Sequence, residues 1–198
     1  MSYSDFTFSV LEEKFGVTKV INPLFKELEL QEPSELLKSI LADTILFSLT
    51  SEKAKSEAII FPILAELKRK NKDKISIFSG DTLDADASQG LNGECDYVIS
   101  NKPNLFDIDS PIITVIEAKR YNFAKGIPQC IAQMLGSKMF NEKKNRIVTS
   151  IYGCVTNADE WHFLRLQDTV VTIDTRKYYL DNVPEILGVF QTIVNQSI

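Results

Sequence analysis

The chain has 198 residues, 44% of them hydrophobic and 25% charged, which is ordinary globular usage. That excludes a disordered or fibrous protein and suffices for one domain with a sizeable core. Lys and Arg number 22 against 27 Asp and Glu, a net charge of −5 with a pI near 5.0. A general electrostatic grip on nucleic acid or on an anionic membrane is therefore not indicated, and any nucleic-acid partner would have to be held by a local basic patch or through a metal ion. Cys95, Cys130 and Cys154 are odd in number, far apart and without zinc-ligand spacing, which fits reduced thiols in a cytoplasmic setting. The Met1–Phe6 start has no basic segment and no long apolar run, so neither a signal peptide nor a membrane span is expected.

Residues 1–33 mix short apolar and polar pieces. Ser34 has the character of an N-cap, and Leu36, Leu37, Ile40, Leu41, Ile45 and Leu46 follow at helical spacing, predicting a helix to about Leu49. A second helix is expected from near Ser51 past Leu67, with Ala54, Ala58, Phe61, Leu64 and Ala65 as its apolar stripe; Pro62 should kink or restart it. After the charged stretch 68–74 the period changes. Ile75–Ser79 reads as a strand, residues 80–94 as a Gly/Asp/Asn-rich loop and Cys95–Ser100 as a second strand. Beyond a turn region over 101–111, the β-branched run Ile112–Ile116 predicts a central strand buried on both faces. Pro128 suits the first turn of a helix carrying Ile131, Leu135 and Met139, which fades at 141–144. Strand-like runs at 147–155, 161–166 and 170–173 and a helix over 184–194 close the chain. With no repeat and no dividing linker, the expectation is one α/β domain over 1–198, a mixed central sheet flanked by helices. It divides into a helical N-terminal elaboration (1–50), a core (51–156) and β-strands with a final helix (157–198).

Chemistry concentrates at the end of the most apolar strand. Side chains alternate along a strand, so Glu117 and Lys119 emerge on one face as neighbours. Burying either alone is costly, while together with a cation and a second carboxylate the cost is offset. Asp96, early in the preceding strand, supplies that carboxylate if the two strands pair. Two carboxylates and the Ala118 carbonyl suit Mg²⁺ or Mn²⁺, hard cations that prefer oxygen ligands. Water bound to such an ion has a lowered pKa, and Lys119 could orient or deprotonate it, or stabilise charge at phosphorus.

The pattern Asp96, then Glu117-Ala118-Lys119 closing a strand, resembles the PD-(D/E)XK, or restriction-endonuclease-like, nuclease superfamily over about Ser51 to Val155. The resemblance implies a restriction-endonuclease-like core and Mg²⁺-dependent hydrolysis of nucleic-acid phosphodiesters, with DNA the foremost substrate. It implies Asp96 and Glu117 as metal ligands, Lys119 as the catalytic lysine and Glu57 as the glutamate of the preceding helix. Gln129 matches a glutamine that some exonuclease-like branches carry after the lysine, while Gln133 stands where those branches have a tyrosine. Cys95 replaces the proline of the motif's name. The alternative is a nuclease-fold protein that binds or scaffolds without turnover; a homodimer also fits the family pattern.

The bland readings stand beside these. Glu-x-Lys alone occurs by chance in most proteins, Glu57 could be a solvated helix residue with Glu52 and Glu66 as competitors, and the two glutamines could form the polar edge of an amphipathic helix. Asp84-x-Asp86-x-Ser88 starts like a calcium loop but has Gln89 where Gly is needed and Cys95 where Glu is needed, which excludes an EF-hand. His162, the sole histidine, reads as structural or exposed.

Overall fold

The most apolar run of the sequence becomes the middle of a mixed sheet. In the computed structural model, which describes residues 1–119 and 123–196, Ile112–Ala118 is a strand with every residue buried. The elements in chain order are α1 (Phe8–Phe15), β1 (Thr18–Ile21), α2 (Glu35–Asp43), α3 (Glu52–Lys55), a π-turn (Ser56–Ile60) and α4 (Phe61–Lys70). β2 (Ser76–Thr82), β3 (Glu94–Ser100), β4 (Ile112–Ala118), α5 (Phe123–Lys143), β5 (Ile151–Thr156), β6 (Glu160–Gln167), β7 (Val170–Ile173), β8 (Tyr178–Tyr179) and α6 (Val183–Gln196) follow. The sheet runs β1-β7-β6-β5-β4-β3-β2, with β8 beside β6. β4 and β5 are parallel, joined across one face through the 21-residue α5; β2, β3 and β4 form an antiparallel meander. α4 and α6 cover one face through Ile63, Leu67, Trp161, Phe163 and Phe190, while α5 covers the other through Cys130, Ile131, Met134, Val115 and Leu164. The protein is thus an α/β fold with a mixed central sheet flanked by helices, and among the described residues no helix is long and apolar enough to cross a membrane.

Several boundaries differ from expectation for identifiable reasons. Ser34 does cap α2, accepting a hydrogen bond from the Leu37 amide, but the helix stops at Asp43 instead of near Leu49 and passes into a 3₁₀ turn, Thr44–Leu46. Its buried partner is Glu66, whose carboxylate accepts from the Ser34 amide and hydroxyl and from Arg69. Burial pushes the Glu66 carboxyl up, but the hydrogen bonds from Arg69 and Ser34 outweigh it and leave the pKa lowered. Pro62 is accommodated by the π-turn just before it, where the widened backbone takes up the missing N–H and the ring. That turn shifts the helical phase, so Phe61 faces solvent at 52% exposure, and Ile60, Ile63, Leu64 and Leu67 form the buried stripe. Residues 1–50 are not wholly helical: β1 is an exposed edge strand pairing parallel to β7, too short and too polar to show a period. α5 starts at Phe123, five residues before Pro128, so the proline lies inside the helix and leaves the exposed Ala124 carbonyl without its usual amide partner.

Gly136 of α5 leaves room for Tyr3, whose buried hydroxyl donates to the Leu83 carbonyl at 2.9 Å; a Cβ at residue 136 would lie 2.1 Å from that oxygen. Alanine improves helix propensity by roughly 1 kcal/mol, while evicting a buried aromatic side chain costs roughly 3–5 kcal/mol. Gly136→Ala should therefore lower stability by about 2 kcal/mol, read as a fall of roughly 4–8 °C in the thermal midpoint. An unchanged midpoint would mean that Tyr3 is not held there.

Candidate metal centre

β3 and β4 pair antiparallel with Tyr97 opposite Ile116, and one further step of that register sets Asp96 opposite Glu117. The Asp96 Oδ2 instead turns to the strand end, accepting a hydrogen bond from the Ala118 amide at 2.7 Å. Asp96 thus sits against the Glu117–Ala118 peptide. Glu117 is 2% exposed and points to α5. Its Oε1 is 2.5 Å from the Lys119 ammonium, and its Oε2 accepts from Gln133 Nε2 at 2.6 Å. The Lys119 stem runs over Gly126, where a Cβ would approach Lys119 Cγ to 2.9 Å and Val155 Cγ1 to 2.8 Å. No other residue type fits at 126 without displacing Lys119.

The electrostatics follow from burial. Glu117 is pushed up to about 7, first by burial and then by the Asp96 charge, against the opposing pull of Lys119 and Gln133. Asp96 is also raised by burial and by the charges of Glu52 and Glu94, while the Ala118 amide and Lys119 hold it down. Burial pushes Lys119 down, but Glu117 outweighs this, aided by Glu52 and Asp96, and leaves it raised. The three groups therefore form one coupled unit of two carboxylates and one ammonium.

Asp96 and Ala118 open onto a cleft of about 420 Å³, walled also by Glu52, Ser56, Glu57 and Glu94. Glu57 reaches this cleft but is 69% exposed and lies 3.8 Å from Lys53, so it is a rim residue and not part of an inward stripe. The cause is the π-turn containing it, which rotates the preceding residues relative to α4. Glu52 acts on both Asp96 and Lys119, and so is the helix carboxylate electrostatically tied to the site. Glu66 is engaged elsewhere, at the α2 cap.

Gln133, fully buried, bonds Glu117, whereas Gln129 is half-buried and makes no side-chain hydrogen bond among the described residues. The same residues leave Gln133 Oε1 buried without a partner. His162 lies two strands from Glu117 in the row Glu117–Val155–His162, and its Nε2 is bound to Glu160 at 2.6 Å beneath the Phe123 ring. Asp86 closes its own turn, accepting from Ser88 and Gln89, whose hydrogen bonds hold its carboxyl down at about 2.

The donor chemistry suits a hard divalent cation: two carboxylates, of which Asp96 pushes Glu117 up, lie beside the main chain of Ala118. Among the described residues no group of three His, Cys, Asp or Glu side chains could hold an ion. Asp96, Glu117 and the Ala118 carbonyl would thus supply only part of a coordination sphere, leaving the rest to water and to oxygens of a substrate, as is usual for Mg²⁺. Neither a scan against protein-family models nor a search of curated proteins finds a match.

Proposed function

We propose that this protein is a divalent-metal-dependent nuclease of the PD-(D/E)XK type, hydrolysing phosphodiester bonds of nucleic acid, with DNA the foremost substrate. One observation carries the reading: Asp96 accepts from the Ala118 amide next to the buried Glu117, at the end of a fully buried strand, with the Lys119 ammonium 2.5 Å from Glu117. A structural ion pair has no need of a second buried carboxylate that raises the pKa of the first.

When bound, a divalent cation supplies charge neutralisation at the phosphate and lowers the pKa of a coordinated water. The chain's own residues do the rest. Asp96, fixed by the Ala118 amide, presents its other oxygen at the cleft. Gln133 fixes the Glu117 carboxylate from behind. Lys119 Nζ carries a permanent positive charge to the place where charge builds up on the phosphoryl oxygens, and it orients a water for attack. The acidic cleft, with Glu52, Glu57 and Glu94 on its walls, repels a polyanion unless a cation is present.

That same acidity favours a second reading, a protein of this architecture that binds a cation without turnover. Duplex and single-stranded DNA and RNA incubated with Mg²⁺ or Mn²⁺ separate the two. The nuclease reading expects cleavage that vanishes with a chelator and falls by roughly 10²–10³-fold in Asp96→Asn. Mn²⁺ binding with no cleavage of any substrate would leave the second reading standing.

A further inference from the structure

We propose a second ligand site, for a phosphate group, centred on Arg165 on the opposite face of the sheet from Glu117. Arg165 lies in β6 across from Tyr152 of β5 and Thr172 of β7, on the face covered by α6. It lines a cleft of about 780 Å³ with Asn22, Lys26, Thr192 and Gln196. A second hollow of about 290 Å³ adjoins it and shares Arg165 and Gln196.

A guanidinium never gives up its proton, so its charge inside a cleft must be met by something. Among the described residues no carboxylate pairs with Arg165, and its Nε is buried without a hydrogen-bond partner. Arg176, the other arginine of this part of the chain, is paired with Glu185, and Arg69 with Glu66. Arg165 is instead set against a neutral phenol: burial raises the Tyr152 pKa, the charge of Arg165 and its hydrogen bond to the Tyr152 oxygen oppose that rise, and the Tyr152 hydroxyl donates onward to Gln196 Oε1 at 2.6 Å. The Tyr152 ring is fixed in turn by Phe25, stacked at 6.2 Å between centroids.

The result is a guanidinium on the wall of a polar cavity with an exposed lysine at its rim. Neutral amides of Asn22 and Gln196 flank it, Thr192 lines the wall with its hydroxyl donating to the Gly188 carbonyl, and Glu27 is the acidic residue on the wall. That set matches a phosphate oxyanion, taken two oxygens at a time by the guanidinium. It could be free phosphate or the terminal phosphate of a phosphomonoester such as a nucleotide.

The test is a ¹H–¹⁵N spectrum of the arginine Nε–H region of the full chain, titrated with inorganic phosphate and separately with adenosine 5′-monophosphate at constant ionic strength, with chloride as control. The resonance that Arg165→Gln removes should shift saturably, with a dissociation constant of about 1 mM or tighter. Arg165→Gln should weaken binding at least about tenfold by calorimetry, as expected for loss of one charge-assisted contact. Where the glutamine variant does not fold, Arg165→Lys assigns the resonance. It keeps the charge, loses the fork and should bind several-fold more weakly. Tighter binding of the nucleotide identifies a phosphomonoester as the ligand, and equal binding identifies phosphate. A resonance that stays still, or drifts without saturation as it does with chloride, overturns the site.

Discussion

Glu117→Gln should make the metal-free protein more stable at pH 8 and leave it little changed at pH 5. Burial and the Asp96 charge raise the Glu117 carboxyl from 4.5 to about 7 in the folded chain. A folded-state carboxyl raised in this way binds its proton more tightly than the unfolded chain does. The associated stability is complete below pH 4.5 and is lost as pH rises to about 7. Above that, the ionised side chain costs the fold roughly 3 kcal/mol relative to its neutral form. Glutamine removes the charge at constant shape. Its carbonyl can still accept from Lys119, and its amide can donate to the orphaned Gln133 Oε1 once the Gln133 amide turns over. Loss of the Lys119 ion pair offsets part of the gain, so the expected net is about 1–3 kcal/mol at pH 8. Urea denaturation of both proteins at pH 5 and pH 8 without metal measures it. A variant less stable than wild type at pH 8 would mean that Lys119 compensates the buried carboxylate fully. With Mn²⁺ added the order should reverse, because only the wild type gains from binding.

Lys119→Met should act in the opposite sense and more strongly. Lys119 is the cation that opposes both raised carboxylates. Without it Glu117 keeps only the Gln133 hydrogen bond, and its carboxyl should be pushed up further, because the opposite charge in contact is gone. Three consequences separate this from a simple loss of packing. Stability at pH 8 falls by about 3 kcal/mol, as for a buried pair broken on one side, yet much less at pH 5 where Glu117 is protonated. The pH at which Mn²⁺ binding is half-developed moves upward from near neutrality, since the ion and the proton compete for Glu117. On the proposed nuclease reading, cleavage should fall by roughly 10²–10⁴-fold even at a pH and metal concentration that restore binding, because the ammonium assigned to the phosphoryl oxygens is gone. A variant that regains wild-type cleavage once binding is restored would restrict Lys119 to tuning Glu117.

The parts of this site that were legible in the sequence are those fixed by strand geometry. A β-branched run announces a strand buried on both faces, period two puts Glu117 and Lys119 on one side of it, and an antiparallel neighbour brings Asp96 to its end. The parts that were not legible depend on how helices sit against that strand. Gln129 and Gln133 are one turn apart and equally polar. The depth of α5 over β4 selects Gln133, and that depth is set by a helix start five residues before the proline that marks it in the sequence. Glu57 and Glu52 were separated by a π-turn, which sequence periodicity treats as ordinary helix and therefore carries one residue out of phase. The true stripe Ile60, Ile63, Leu64, Leu67 was nevertheless present in the sequence at regular spacing, and starting from it would have shown that Phe61 is not a core residue. β1 and β8 were illegible because strands of four and two residues are too short to show a period.

Crystals of the protein soaked in Mn²⁺ test the central claim most directly, since manganese gives an anomalous signal that calcium-free buffer and water do not. One strong anomalous peak is expected at about 2.2 Å from an oxygen of Asp96 and an oxygen of Glu117, with the Ala118 carbonyl in its coordination sphere, and no such peak in Asp96→Asn. A peak bound only to Glu94, Glu57 or other surface carboxylates, or none at the Glu117–Ala118 peptide with Glu117 still paired to Lys119, would contradict it.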